Sequence, residues 1–272
     1  MHEIGHNLDL HHSGEAGFTG TTGEYGDQTC IMGFGDGQDD TAKCFNAAKM
    51  SELGWYTNRV VSINPTVDTF NGKVIGVADY GISDTAHTLV VEIVNPVAVE
   101  DNIYLTYNRA KGINAGTGEK KDMVTIVRGS VGGFSTLFGS LNAAAGTNSL
   151  TIEDFFNGRD LYIFVDNTGS DGDVDYATVR VELQIETCSA ASDCSTGTRD
   201  CVTATCNNSL CVYNTVSGCC GNGICEPEFG ETCGTCSVDC KKPDHCNDLG
   251  YFDLDKFCPK VRGCCDHPDS FS

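Results

Sequence analysis

The chain has 272 residues, with 38 acidic and 17 basic side chains and a formal net charge of −21 at pH 7. A surface of this charge argues against nucleic acids and anionic membranes as partners, because both repel it. No run of about 18 apolar residues occurs, so no transmembrane helix or membrane insertion is predicted.

A cluster of histidines lies in the sequence His-Glu-Ile-Gly-His-Asn-Leu-Asp-Leu-His-His, residues 2–12. Residues four apart share one face of a helix, so His2 and His6 can present two imidazole nitrogens to one ion. Glu3 stands beside the first of them, close enough to take a proton from a water molecule on the metal. His12 follows at the spacing of the third ligand in the long zinc-peptidase pattern His-Glu-x-x-His-x-x-Gly-x-x-His. The segment therefore predicts a Zn²⁺ site with Glu3 as general base.

Two features of this segment leave alternatives open. Asp9 stands where the pattern has glycine, at the point where the chain must turn in a left-handed conformation. Aspartate is among the few other residues that enter this region, so the turn remains accessible, and Asp9 is interpreted as a helix terminator. His11 competes with His12 for the place of third ligand, and spacing alone favours His12. Copper also accepts imidazole ligands, although three histidines with an open position favour zinc.

A methionine lies twenty residues beyond the third histidine, in the sequence Thr-Cys-Ile-Met-Gly. Metzincin peptidases place a methionine in a tight turn beneath the metal, and Met32 is similar to it in position. Phe34 stands two residues later, where some metzincins have a tyrosine that reaches the metal. No tyrosine ligand is therefore expected from this turn.

Several stretches of the first 56 residues together resemble the gametolysin (autolysin) family of secreted zinc metalloendopeptidases. They read His-Glu-Ile-Gly-His-Asn-Leu, His-Ser-Gly-Glu, Glu-Tyr-Gly-Asp-Gln-Thr-Cys-Ile-Met-Gly, Cys-Phe-Asn-Ala-Ala-Lys and Leu-Gly-Trp-Tyr. The resemblance implies that His2, His6 and His12 bind the metal, that Glu3 is catalytic and that Met32 forms the Met-turn. It also implies cleavage of extracellular-matrix or cell-wall glycoproteins.

The seventeen cysteines are unevenly distributed. Cys30 and Cys44 flank the Met-turn, and we expect a disulfide between them, the alternative being two unrelated thiols. The other fifteen lie from Cys188 onward, which is typical of a disulfide scaffold formed in an oxidising, extracellular compartment. Cys233 and Cys236 form a Cys-x-x-Cys pair without a second such pair, which favours disulfides over zinc. The odd number leaves one cysteine without a partner among the fifteen.

Residues 57–187 contain seven short β-rich runs separated by Gly, Asn and Asp, which predict an antiparallel β-sandwich. The sandwich could bind carbohydrate or matrix or serve as structural support, and support is favoured. Residues 166–175 are rich in aspartate and are interpreted as an acidic hairpin, with a calcium loop as the alternative. The predicted runs are Arg59–Ile63, Lys73–Val77, Thr88–Val94, Asn102–Tyr107, Met123–Val127, Asp160–Val165 and Ala177–Leu183.

The sequence thus predicts a mixed architecture. Residues 1–56 form the C-terminal half of a metzincin-like α+β peptidase domain, residues 57–187 the sandwich and residues 188–272 the disulfide-rich region. The metal motif opens at residue 2, so we expect a signal peptide and an N-terminal peptidase subdomain upstream. Residues 1–272 alone are accordingly expected to show little or no peptidase activity. The alternative is a non-catalytic extracellular binding or structural protein that retains a remnant zinc motif; the oligomeric state is not predicted.

Overall fold

The computed structural model describes residues 2–17, 21–33, 42–83, 87–96, 101–130, 132–156, 158–194, 201–220, 226–231 and 235–236. Their contacts divide the chain into two compact units. The first comprises Met1–Asn95, Asp101–Phe155 and Arg159–Gln184, and the second comprises Pro96–Glu100, Phe156–Gly158 and Ile185–Ser272. The first unit thus contains both the predicted peptidase segment and nearly all of the predicted sandwich segment.

The described chain is mostly β-structure with a few short helices. The helices are α1 (His2–His6), α2 (Thr21–Glu24) and α3 (Ala47–Leu53). The strands are β1 (Ser13–Glu15), β2 (Val60–Ile63), β3 (Phe70–Ile75), β4 (Val90–Ile93), β5 (Asn102–Asn108), β6 (Met123–Gly129), β7 (Ser135–Leu141), β8 (Ser149–Phe156), β9 (Arg159–Asp171), β10 (Val174–Leu183), β11 (Val202–Asn207) and β12 (Leu210–Thr215). All seven predicted runs overlap strands, while β7 and β8 in the same segment, and β1, β11 and β12 outside it, were not predicted. Among the described residues no helix is long and apolar enough to cross a membrane.

Two sheets make up the first unit. Six strands form a sheet in the order β1-β7-β6-β5-β4-β2, and four form another in the order β3-β10-β9-β8. The prediction of antiparallel pairing for residues 57–187 is wrong at one pair of strands, because β2 pairs parallel with β4 in the larger sheet. Strand β1, which precedes this segment, also pairs parallel, with β7. The chain leaves this sheet after β2, forms β3 in the other sheet and returns as β4. Its direction at β4 is therefore the same as at β2.

The core of the first unit draws side chains from both sheets and from α3. The larger sheet supplies Tyr104 of β5, together with Leu89, which immediately precedes β4. The smaller sheet supplies Ile75 and Val174. Met50 of α3 packs into the same cluster. Burial of such apolar side chains contributes roughly 1.5–3 kcal/mol each, so this cluster fixes α3 and the strands around it. Because β1 belongs to the larger sheet, the segment that follows the histidine cluster is anchored in this unit.

Disulfides hold the described part of the second unit. They join Cys188 to Cys206, Cys194 to Cys211, Cys201 to Cys219 and Cys220 to Cys236. The prediction of a disulfide-rich region is confirmed, and its Cys236 is a disulfide partner, not a zinc ligand. Cys233, its partner in the Cys-x-x-Cys pair, lies outside the described residues. Strands β11 and β12 form an antiparallel pair between these bridges.

The aspartate-rich residues 166–175 form the end of β9, the turn after it and the start of β10, so they are a hairpin as interpreted. Its carboxylates contact basic side chains. Asp175 Oδ2 accepts from Arg109 Nε at 2.9 Å and lies 3.3 Å from Lys111 Nζ, while its Oδ1 accepts from the Ser170 hydroxyl at 2.6 Å. The Ser170 hydroxyl and the two cations lower the pKa of Asp175 to about 2.

This pKa predicts an acid-dependent stability. An aspartate with a lowered folded-state pKa stabilises the fold above its ordinary pKa of about 3.9, and the contribution disappears as the pH falls through about 2. Asp175→Asn should lower the free energy of unfolding at pH 7 by about 1 kcal/mol and flatten its decline between about pH 4 and pH 2. Urea unfolding across this range measures both effects. The exposed Asp68→Asn is the control, and an equal acid response in both variants would contradict the assignment.

Candidate metal centre

Helix α1 and the turn after it bring the histidine cluster together. The helix ends at His6, and the backbone amides of Leu8 and Leu10 both bond to the Gly5 carbonyl, at 2.9 and 3.1 Å. Asp9 takes the left-handed conformation, with φ 65°, at the position where the zinc-peptidase pattern has glycine. The chain therefore reverses here, and His12 returns toward the helix.

The structure brings His2, His6 and His12 to one point. One ring nitrogen from each lies within 4.8 Å of the others, and the Nε2 atoms of His6 and His12 are 3.1 Å apart. His11 is not part of this group; its ring faces Phe134, with the ring centroids 5.4 Å apart. His2 and His12 are half-buried and His6 is exposed, so the site is open to solvent.

The second nitrogen of each ring is held by an oxygen atom. His2 Nδ1 lies 2.9 Å from the Ile31 carbonyl, and His6 Nδ1 lies 2.9 Å from the Leu10 carbonyl. His12 Nδ1 lies 2.6 Å from Glu24 Oε1. A carbonyl or carboxylate oxygen only accepts, so each ring donates from Nδ1 and keeps a lone pair on Nε2. This tautomer is the one in which Nε2 can bind a metal.

The donor set fits a metal ion. Two Nε2 lone pairs facing each other at 3.1 Å repel unless a cation or a proton lies between them. In a tetrahedral zinc site with Zn–N bonds of about 2.0–2.1 Å, ligand nitrogens are about 3.3 Å apart, close to the separation of these two atoms. Three imidazoles with an open position suit Zn²⁺, and Cu²⁺ accepts the same ligands.

Met32 lies directly beneath the helix that carries the first two histidines. Its side chain is completely buried and packs with Leu10 and Cys30. A Cβ built on Gly5 would lie 2.2 Å from the Met32 sulfur. A side chain at this helical position would therefore force the methionine to shift, and glycine avoids this.

Substitution of this glycine tests the packing. In an unconstrained helix, Gly→Ala is favourable by about 1 kcal/mol. We expect Gly5→Ala instead to lower the free energy of unfolding by about 1–2 kcal/mol and to weaken metal binding, because Met32 must move within a packed site. Thermal unfolding and zinc titration measure the two effects.

Gly81→Ala is the matched control, since a Cβ at Gly81 meets no atom within 4 Å. Stabilisation by Gly5→Ala would show that the methionine does not constrain the helix.

A buried carboxylate ties the segment after His12 to the Met-turn and to α3. Asp27 accepts from the Ser13 hydroxyl at 2.7 Å and from the Thr29 amide at 2.8 Å. It also accepts from Asn46 Nδ2 at 3.0 Å, and Asn46 caps α3 by accepting from the Lys49 amide. Burial raises the pKa of Asp27, and these hydrogen bonds oppose the rise.

The predicted disulfide between Cys30 and Cys44 is absent, since both thiols are free. Cys30 Sγ accepts from the backbone amides of Met32 and Asn46, at 3.4 and 3.3 Å. Cys44 Sγ instead donates to the Ile113 carbonyl at 3.6 Å. The two sulfurs thus point to different partners. Burial raises the pKa of Cys30 to about 12 and that of Cys44 to about 11, so neither forms a reactive thiolate near neutral pH.

Two other residues singled out in the sequence are Glu3 and Phe34. Glu3 is exposed on α1 beside His2, and among the described residues no hydrogen bond or ion pair holds its carboxylate. Phe34 lies outside the described residues.

Sequence reasoning gave no role to three neighbours of His12. Glu24 binds its Nδ1, the Tyr25 ring lies 4.1 Å from its ring between centroids, and the exposed Phe134 ring lies 6.2 Å away. The sequence carried no spacing signal for them.

Residues 1–111 match the family model of the gametolysin peptidase M11 family. The resemblance seen in the sequence is therefore confirmed for this part of the chain, and the match supports a metallopeptidase-type function with a metal cofactor. The match runs past residue 56 into the strands of the larger sheet. No curated protein and no solved structure matches the chain.

Proposed function

We propose that this chain, whose residues 1–111 match the gametolysin peptidase family, is a zinc-dependent metalloendopeptidase. The observation that carries the proposal is the convergence of three histidine nitrogens within 4.8 Å, each with its other nitrogen bound by an oxygen. We also propose that the site is metzincin-like, in an α+β domain. The left-handed conformation of Asp9 and the buried Met32 beneath Gly5 support this.

The residues of the site divide the chemistry between them. His2, His6 and His12 would hold the ion. When bound, the ion would serve as a Lewis acid for a water molecule and for the substrate carbonyl. Glu3 accepts the proton of the attacking water and returns it to the leaving amine, because its carboxylate is exposed beside the ligands and engaged by no described residue. Met32 keeps α1 in place and excludes water from beneath it.

We propose proteins or glycoproteins of an extracellular matrix or cell wall as substrates. The family resemblance supports this substrate class, and the net charge of −21 disfavours nucleic acid and anionic membranes as partners. Four disulfides in the described part of the second unit support an oxidising, extracellular location. We propose that the β-rich part beyond residue 111 is a sandwich-like support for the site, since side chains of both sheets pack into one hydrophobic core.

The test separates metal binding from catalysis. Zinc content is measured on the purified full chain, and proteolysis is assayed on wall or matrix glycoprotein before and after chelation. We expect about one zinc per chain, with copper absent, and a low rate of cleavage that chelation abolishes and added Zn²⁺ restores.

Glu3→Gln should retain zinc and lower the cleavage rate by about 10²–10⁴-fold, because only the general base is lost. Glu153→Gln, an exposed acidic residue of β8, is the control and should leave both unchanged. Zinc binding without any Glu3-dependent cleavage would favour the non-catalytic alternative. Absence of zinc binding would overturn the proposal.

A further inference from the structure

The third histidine is held differently from the other two. His2 and His6 donate to backbone carbonyls, of Ile31 and Leu10, which the fold itself positions. His12 donates instead to a side chain, Glu24 Oε1, at 2.6 Å. Its orientation therefore depends on one replaceable carboxylate.

Glu24 acts on a residue that has an adjacent competitor. His11 and His12 are consecutive, and either could supply a third imidazole by sequence. In the structure only His12 has an oxygen partner on Nδ1, and its Nε2 faces His6 Nε2 at 3.1 Å. His11 is exposed, and its ring lies beside Phe134, whose ring offers no hydrogen-bond acceptor for Nδ1.

The residue after Glu24 reinforces the same orientation. The Tyr25 ring lies 4.1 Å from the His12 ring and 6.1 Å from the His2 ring, between centroids. His12 is thus held by the hydrogen bond from its Nδ1 to Glu24 and by the ring contact with Tyr25.

We propose that Glu24 is a positioning residue that selects His12 over His11 as the third metal ligand and fixes its Nδ1–H tautomer. The proposal rests on the metal site of the proposed function. Carboxylates in this position typically change metal affinity by about 10–100-fold when removed. Glu24 is partly exposed, with 42% of its side-chain area accessible, so its replacement leaves little buried space to collapse.

Zinc affinity is measured on the full chain by competition with a chromogenic chelator. Glu24→Ala should weaken zinc binding by about 10–100-fold. Glu24→Gln should fall between that variant and the wild type, because the amide oxygen still accepts from Nδ1 without the charge. Glu153→Ala, an exposed glutamate far along the chain in β8, is the control and should leave the affinity unchanged.

Selection of the ligand is tested in two backgrounds. His11→Ala should not change zinc affinity in the wild type but should weaken it further in Glu24→Ala, where His11 becomes a substitute ligand. Long-range ¹H–¹⁵N NMR reads the His12 tautomer directly. The Nδ1–H form should dominate in the wild type and mix with the Nε2–H form in Glu24→Ala, a change that a merely structural role would not produce.

The outcomes separate this inference from the proposed function. Tight zinc binding by the wild type with unchanged affinity and an unchanged His12 tautomer in Glu24→Ala overturns only the role of Glu24. Loss of affinity on His11→Ala in the wild type also overturns it. Absence of zinc binding by the folded wild type overturns the proposed function and this inference with it.

Discussion

The buried carboxylate of Asp27 is the interaction on which the site depends. It is completely inaccessible to solvent and accepts hydrogen bonds from Ser13, Thr29 and Asn46. These residues come from the strand after His12, the loop before the Met-turn and the cap of α3. An unpaired carboxylate buried in this way would be strongly unfavourable, so the segments must stay together for the chain to fold.

From this anchor the geometry of the histidines follows. Ser13 continues directly from His12 into β1, and its amide bonds to the Met32 carbonyl at 2.9 Å. Met32 in turn limits the approach of α1 at Gly5. The third histidine, the methionine and the helix therefore form one packed assembly, in which backbone contacts position the three histidine residues and Glu24 orients the His12 ring. Such preorganisation favours tight binding, because little ordering remains to be done.

The sequence was most informative where chemistry needs a fixed spacing. The offsets of His2, His6 and His12 predicted a shared site, and the structure brings their nitrogens together. The seven β-rich runs were recognisable as strands because their composition, and in several of them the alternation of apolar and polar residues, is local. Strands β7 and β8 were missed because glycine, serine and acidic residues interrupt their apolar pattern.

Features that depend on distant parts of the chain could not be read in this way. The parallel pairing of β2 with β4 follows from the excursion of β3 into the other sheet, which no local pattern encodes. The expected Cys30–Cys44 disulfide failed because Cys30 Sγ accepts two backbone amides, a contact decided by packing. Glu24 showed no signal because its role arises only once His12 has turned back. Gly5, between His2 and His6, did show a signal in the sequence, because a glycine within a helix usually has a packing or functional reason.

Three imidazoles and an open position form the proposed zinc site. X-ray absorption at the zinc edge, on the zinc-loaded full chain, tests it most directly. A three-histidine zinc site gives three imidazole nitrogens at about 2.0–2.1 Å and one oxygen ligand, with no sulfur in the coordination shell. A zinc–sulfur distance of about 2.3 Å would contradict it. So would a wild-type spectrum that shows only two imidazoles and does not change when His12 is replaced by alanine.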